Sequence, residues 1–496
     1  MPDSSFLDQL INLPTVEYAK ISPDGRWVAF TWYRIQANQD VFIVPTGNPC
    51  LPVPFTNTPE ATEFVSWFPN SSAIIVSEDQ AGDERLRLFR IDLRVQPDGS
   101  ALPGPMVPLT VEHPPYFIRG GSISPDGKTL YYGANYDFAK GALTEPTIIY
   151  RHDIQIDWRI PIARPDRPAF TTPELNSMGT HLIYTRKDRH PSGRQVYLVD
   201  VDGKVDREIL NFGDQVKVFA RWFPDGEHIL VLSETTGSRS ENLPGYIRLG
   251  VYHWPSAQIR WLIDDPERSI EGAWVSPEGS IIVNEIQRSS HHPSFISPPA
   301  DGWMQASDDL IEETCFPTLQ GNLVPIGRAR DGAWIALHYA STSPSVLVRI
   351  STQRSKEGSA NFVSLTNVWE HTSLHPSDLV QAEDLGWAST DGLPIQGWLY
   401  RTDPNLGRGL VYIHGGPNSH SEDYPYPMIQ YLVRVGFNIL AVNYRGSTGF
   451  GLQFREAIKL SGWGGQEQAD ISSAAQELIN LGLAHPGKVG VTGTSY

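Results

Sequence analysis

One phrase returns seven times along this 496-residue chain: "ISPDGRWVAF" (21–30), "WFPNSSAIIV" (67–76), "ISPDGKTLYY" (123–132), "LNSMGTHLIY" (175–184), "WFPDGEHILV" (222–231), "VSPEGSIIV" (275–283) and "RARDGAWIAL" (328–337). Aligned on the turn position, the repeats fall at Gly25, Ser71, Gly127, Gly179, Gly226, Gly279 and Gly332, with spacings of 46, 56, 52, 47, 53 and 53 residues. Each phrase joins a turn, in which Pro presets φ and Asp and Gly accept tight backbone angles, to an alternating apolar run that reads as a strand. That is half a hairpin. A period near fifty is too long for a leucine-rich or helical repeat and matches a propeller blade of four strands. The spacing therefore predicts a seven-bladed β-propeller over 20–375, in preference to a two-sheet sandwich with many turns.

Near residue 375 the texture changes. "DLGWASTDGLPIQGWLYRTD" (384–403) reads as two strands around an Asp391-Gly392 turn. Strands and helices then alternate: "GLVYIHGG" (409–416) is an apolar strand running into glycines, and "YPMIQYLVRVG" (426–436) is helical. "FNILAVNYRG" (437–446) is a buried strand, and "FGLQFREAIKL" (450–460) and "QEQADISSAAQELINLG" (466–482) are helices. In the last of these Ile471, Ala474, Ala475, Leu478 and Ile479 recur at helical spacing, and Gly482 stands where a helix ends. "KVGVTG" (488–493) is a final strand. Such alternation predicts a doubly wound, mostly parallel α/β sheet over 376–496.

Composition narrows the function. A formal charge of −17 without clustered Lys and Arg argues against nucleic acid or anionic lipid as a partner. Cys50 and Cys315 cannot form a disulfide framework or a Cys-based metal site, which suits a reducing compartment. The N-terminus lacks a basic flank followed by a long apolar stretch, and no run approaches 18 apolar residues, so a cytoplasmic location is expected. No cofactor or metal site is expected.

Chemistry concentrates at "KVGVTGTSY" (488–496). Gly493, Thr494, Ser495 and Tyr496 fill four of the five positions of a G-x-S-x-G nucleophile elbow, in which small residues let a sharp turn lift the serine Oγ above the sheet. Alone, a serine after a strand is as readily a helix N-cap. The architecture also needs an oxyanion donor from the loop after an earlier strand, and "HGGP" (414–417) ends such a strand.

Taken together, "HGGP", "VNYRGSTGFG", "GWGGQEQAD" and "VGVTGTSY", behind a seven-bladed propeller, resemble the prolyl oligopeptidase family of serine peptidases, and within it the acylaminoacyl-peptidase branch. The resemblance implies an α/β-hydrolase domain over 376–496, C-terminally incomplete, with residues 1–19 packing on it. It implies Ser495 as the nucleophile that forms an acyl-enzyme, and the backbone N–H groups of Gly416 and Tyr496 as oxyanion donors. Asn443 to Ser447 match a motif lining the site, with Arg445 structural. It also implies a propeller that caps the site and admits short peptides; a homo-oligomer is left open.

In this architecture the triad runs Ser, Asp, His along the chain, and the sequence given ends one residue after its serine. His414 is the nearest earlier histidine, but it sits at the base of the oxyanion strand. The reading therefore expects a truncated chain that is inactive as it stands. Two alternatives remain: a non-enzymatic propeller that binds a partner through a degenerate hydrolase remnant, and an ester hydrolase. The Glu312-Glu313 pair and His291-His292 read as loop rather than as an amine clamp or metal ligands, and "RGSTGFG" lacks the lysine of a phosphate loop.

Overall fold

The computed structural model describes residues 4–33, 38–47, 51–110, 116–167, 172–236, 244–305, 312–313, 316, 320–354 and 360–495. Cys50, Cys315 and Tyr496 lie outside them. Seven four-stranded antiparallel sheets, over 15–54, 62–108, 118–163, 174–210, 218–263, 270–313 and 322–364, form the blades of a propeller, each with its strands in chain order. The repeated phrase is the hairpin between the first and second strands of every blade, as where Thr15–Ile21 pairs with Trp27–Tyr33.

All seven aligned turn positions have positive φ, between +59° and +87°. This is why glycine recurs there: the left-handed region is free of steric cost only without a Cβ. Ser71 is the exception, and its side chain has a separate task. Its Oγ accepts the Asp24 amide at 3.0 Å, tying the turn of the second blade to that of the first.

Hydrophobic clusters fill the gaps between neighbouring blades, and the largest closes the ring. Val28, Phe30 and Trp32 of the first blade pack with Trp334, Ile335 and Leu347 of the seventh. These two blades are separate sheets, so their seam is held by packing and a few hydrogen bonds. The Arg330 amide donates to the Gly25 carbonyl at 2.9 Å, and Arg349 Nη1 to Thr46 O at 2.9 Å.

After two short 3₁₀ turns, a five-stranded sheet follows in the order Glu383–Ala388, Pro394–Tyr400, Asn438–Asn443, Gly409–Ile413, Val489–Gly493. The first two pairings are antiparallel and the last two parallel. The strand Asn438–Asn443 is buried throughout, so alternate residues serve opposite faces. Ile439 and Ala441 meet Ile429 and Val433 of the helix Pro427–Arg434. On the other face Leu440 and Val442 meet Phe454 of the helix Gly451–Ala457 and Ala474 and Leu478 of the helix Gln466–Asn480. The helix Ser4–Ile11 lies against the helix Pro427–Arg434, with Phe6 and Leu10 beside Leu374 and Leu379 and the Arg434 guanidinium 4.3 Å from the Phe6 ring centre. Among the described residues no helix is long and apolar enough to cross a membrane.

The propeller and the α/β sheet meet across polar contacts. Trp398 Nε1 donates to Ser289 Oγ at 3.0 Å, the Ser341 amide to Asp423 Oδ1 at 2.7 Å, and the Arg288 amide to Gly449 O at 2.8 Å. The strand Ser290–Ile296 carries His291 and His292, so this pair is sheet rather than loop.

Gly25 tests the seam. A Cβ there would lie 2.8 Å from the Arg330 amide nitrogen in a backbone with φ +71°. Gly25→Ala is expected to cost about 2 kcal/mol through strain at a special φ and a displaced blade contact. A thermal melt should show a lower Tm than for Gly47→Ala, whose added Cβ meets nothing within 4 Å.

Candidate active site

Three neighbouring parallel strands end on the same side of the sheet, and their exits carry the sequence motifs: His414-Gly415-Gly416 after Gly409–Ile413, Tyr444-Arg445 after Asn438–Asn443, and Thr494-Ser495 after Val489–Gly493. Open α/β sheets place their sites at these carboxyl ends. Ser495 stands there with φ +69°, in the left-handed region that a residue with a Cβ normally avoids. Such a strained turn is what an elbow demands, because it projects the side chain out of the line of the strand.

Two glycines make room for it. The strands 409–413 and 489–493 run in register, with Ile413 opposite Gly493, and a Cβ on Gly493 would fall 2.5 Å from the Ile413 carbonyl oxygen. One step further, a Cβ on Gly415 would lie 2.9 Å from Thr494 O and 3.1 Å from Ser495 Cβ. The HGG loop is thus pressed against the serine turn, with Gly416 the next residue along. Gly416 also needs to be glycine, since its φ is +129°.

His414 holds this loop from beneath. Its Nδ1–H donates to the Gly415 carbonyl at 2.8 Å and Nε2 lies 2.8 Å from Ser447 Oγ, while the ring stacks on Tyr444 with centroids 4.6 Å apart. Burial pushes its pKa down to about 4, so the ring is neutral at neutral pH. Both nitrogens are engaged away from Ser495, so this imidazole is a support and not its base. His420 is bonded through Nδ1 to Thr448 Oγ1 at 2.7 Å, and its Nε2 lies 3.2 Å from Glu422 Oε1.

Asn443 pins the continuation of the loop. Its Oδ1 accepts the Ser421 amide at 2.7 Å and its Nδ2 donates to Ser421 O at 3.0 Å and Gln396 Oε1 at 2.6 Å. Arg445 is structural. It donates from Nε and Nη2 to the two oxygens of Asp470, each at 2.8 Å, and from Nη1 to Asp391 at 2.9 Å. Asp470 is fully buried and accepts also from the Arg445 amide at 3.0 Å and Ser389 Oγ at 2.5 Å. This clamp fixes the 444–447 corner to the helix Gln466–Asn480. The sequence held a signal for it: Asp470 lies one and two turns before Ala474 and Leu478, on the apolar face, where a carboxylate requires a partner.

Glu312 is not a solvated loop residue. It sits on the outer strand of the sixth blade and pairs with both Nη atoms of Arg268, each at 2.8 Å. Among the described residues no group of three or more His, Cys, Asp and Glu side chains could hold a metal ion.

Residues 425–496 match the prolyl oligopeptidase family. The chain is also 22% identical to dipeptidyl aminopeptidase BIII of Pseudoxanthomonas mexicana, over 99% of its own length and 68% of that protein's. The family likeness itself lies in the C-terminal stretch 425–496. A shorter stretch, 18% of the chain, is 34% identical to acylamino-acid-releasing enzyme 1 of Oryza sativa subsp. japonica and spans 11% of that relative's length. Among solved structures, the acylaminoacyl peptidase of Pyrococcus horikoshii superposes with a TM-score of 0.72 at 15% identity, covering 99% of this chain and 75% of that one, which shows the shared propeller-plus-hydrolase fold.

Removing the charge of Asp470 while keeping its shape tests the clamp. Asp470→Asn takes away the buried one of the two counter-charges of Arg445 and is expected to cost about 3 kcal/mol or more. Asp391→Asn, at the more exposed end of the same guanidinium, should cost less than about 1 kcal/mol. Chemical denaturation of the two variants side by side checks the contrast.

Proposed function

We propose that this chain carries the nucleophile and oxyanion loop of a prolyl oligopeptidase family serine peptidase acting on short peptides, N-acylated ones included. Ser495 Oγ attacks the scissile carbonyl and forms the acyl-enzyme, and the backbone N–H of Gly416 receives the developing oxyanion. The second donor is the N–H of Tyr496, the residue after the nucleophile. The observation that carries this reading is the left-handed Ser495 pressed against Gly415 of the neighbouring strand's loop.

A cavity of about 370 Å³ lies between the propeller and the continuation of the loop, with neither Gly416 nor Ser495 in its lining. It is bounded by Ser419 and His420 beside the loop, Leu452 on the following helix, and Ile270, Glu271 and Ile286 of the sixth blade. Its volume falls in the range of sites for small molecules rather than for folded proteins. The names of the relatives, a dipeptidyl aminopeptidase and an acylamino-acid-releasing enzyme, agree in acting at peptide N-termini.

An activated serine needs a base, and both histidines of the site loops are engaged elsewhere. Among the described residues no hydrogen bond joins Ser495 to a base, and an unactivated serine is slower by on the order of 10⁴-fold or more.

The test is hydrolysis of N-acetylated and free-amine tripeptides by the polypeptide as the cell makes it. Ser495→Ala should lower kcat/KM by about 10⁴-fold or more; a loss under tenfold overturns the assignment. Residues 1–496 expressed alone should show no Ser495-dependent turnover, and such turnover would contradict the unactivated serine.

A further inference from the structure

Six residues beyond Gly416, the oxyanion loop reaches the propeller through one carboxylate. Glu422 accepts the Tyr339 hydroxyl of the seventh blade on Oε2 at 2.6 Å. The same oxygen lies 3.8 Å from His291 Nε2 of the sixth blade. Its other oxygen lies 3.2 Å from His420 Nε2 of its own loop, and the His420 ring continues to Thr448. His291 is buried and joined through Nδ1 to Asn284 at 2.9 Å, with Glu271 Oε2 at 3.5 Å. Directly beside this cluster, Asp423 takes the Ser341 amide on Oδ1, and its carbonyl takes Asn322 Nδ2 at 3.2 Å. The segment 420–423 therefore touches both blades while its other end, through Ser421, is pinned by Asn443.

We propose that Glu422 is a positioning residue that couples docking of the sixth and seventh blades to the geometry of the Gly415–Gly416 loop. The physical basis is the absence of slack. From Gly416 to Glu422 the chain is fixed at Ser419, whose carbonyl takes the Thr448 amide at 2.9 Å, and at Ser421 by Asn443. A shift of the blades that pulls Glu422 is passed along a segment with hydrogen bonds at alternate residues. Its significance for catalysis rests on the oxyanion role proposed for Gly416, but the mechanical coupling does not.

The groups around Glu422 give the coupling a pH dependence whose sign can be worked out. Burial opposes the charge on Glu422, yet His420, His291 and Tyr339 outweigh it and hold the carboxyl below the usual range. Docking gains from this above the ordinary carboxylate pKa and loses it as pH falls through the lowered one. Burial lowers the pKa of His291 despite Glu422 and Glu271, with His420 and His292 adding to the fall. An undocked His291 binds protons more readily, so the contact also weakens as pH falls below about 6.5. Asp423 acts in the opposite sense, because burial raises its pKa, but only over the carboxylate range. Burial and the neighbouring Glu422 raise the pKa of Tyr339, so it stays protonated and donating. Arg268 and Arg455 line the same cavity; Arg268 is paired to Glu285 and Glu312, and Arg455 donates to Gly245 O at 3.1 Å.

Amide hydrogen exchange on residues 1–496 tests the coupling with no need for peptidase activity. The reporters are the Ser341 and Arg288 amides, which bond across the interface, and the Ser421 and Thr448 amides inside the loop. With intrinsic rates corrected, Glu422→Gln at pH 7.5 should speed both sets together by about tenfold, the signature of one shared local opening. In the wild type both sets should speed up together between pH 7.5 and 5.5, and His291→Gln should flatten that rise. Asp384→Asn, which removes a charge from the exposed Arg288 pair at 3.7 Å, should change neither set. Should Glu422→Gln fail to fold, Tyr339→Phe removes the same hydrogen bond from the propeller side and should loosen the loop amides. Loosening confined to the Ser341 and Arg288 amides, with Ser421 and Thr448 unchanged in either variant, overturns the coupling. Failure of the peptidase reading would instead appear in the Ser495→Ala assay and leave these exchange rates untouched.

Discussion

The close approach of the strands 409–413 and 489–493 at their carboxyl ends is the constraint on which the site depends. Three positions there tolerate no side chain beyond hydrogen: Gly493 against the Ile413 carbonyl, Gly415 against Ser495, and Gly416 by its φ. The strain of a left-handed serine persists because the surroundings over-determine it. Behind the turn stand a buried imidazole, an Asn443 with three hydrogen bonds, and an Arg445–Asp470 pair sealed from water. They make a rigid bed on which a loop and a serine face each other.

Legibility in the sequence followed the range of the interaction. The propeller was readable because its repeat is local: a turn that needs positive φ writes a glycine at the same place in every blade, and six of the seven are glycine. Ser71 breaks the pattern for a reason invisible locally, its bond to the Asp24 amide in the neighbouring blade. The helices 427–434 and 466–480 were readable from period, and the elbow and HGG loop from glycine spacing. The parallel sheet was only partly so. An antiparallel pair, 383–388 and 394–400, forms its leading edge and places the Gln396 and Trp398 side chains at the propeller interface.

The docking surface itself left no trace in the sequence. His291, Tyr339 and Glu422 come from three elements 131 positions apart, each strand or loop in its own right, and no periodicity brings them together. His291 read as loop once a metal role was set aside for want of a third ligand, whereas it lies on a strand with its side chain only 7% exposed. A polar interface of this kind opens more readily than a packed apolar core. The ring seam shows the same economy: apolar packing, not a shared strand, joins the first blade to the seventh.

The central claim is that Ser495 is the nucleophile of this fold. The most direct measurement is peptide mapping by mass spectrometry after a fluorophosphonate probe has reacted with the polypeptide as the cell makes it. The account predicts a single phosphonyl adduct, on Ser495. An adduct on another serine, with Ser495 unmodified and peptide hydrolysis abolished, would contradict it.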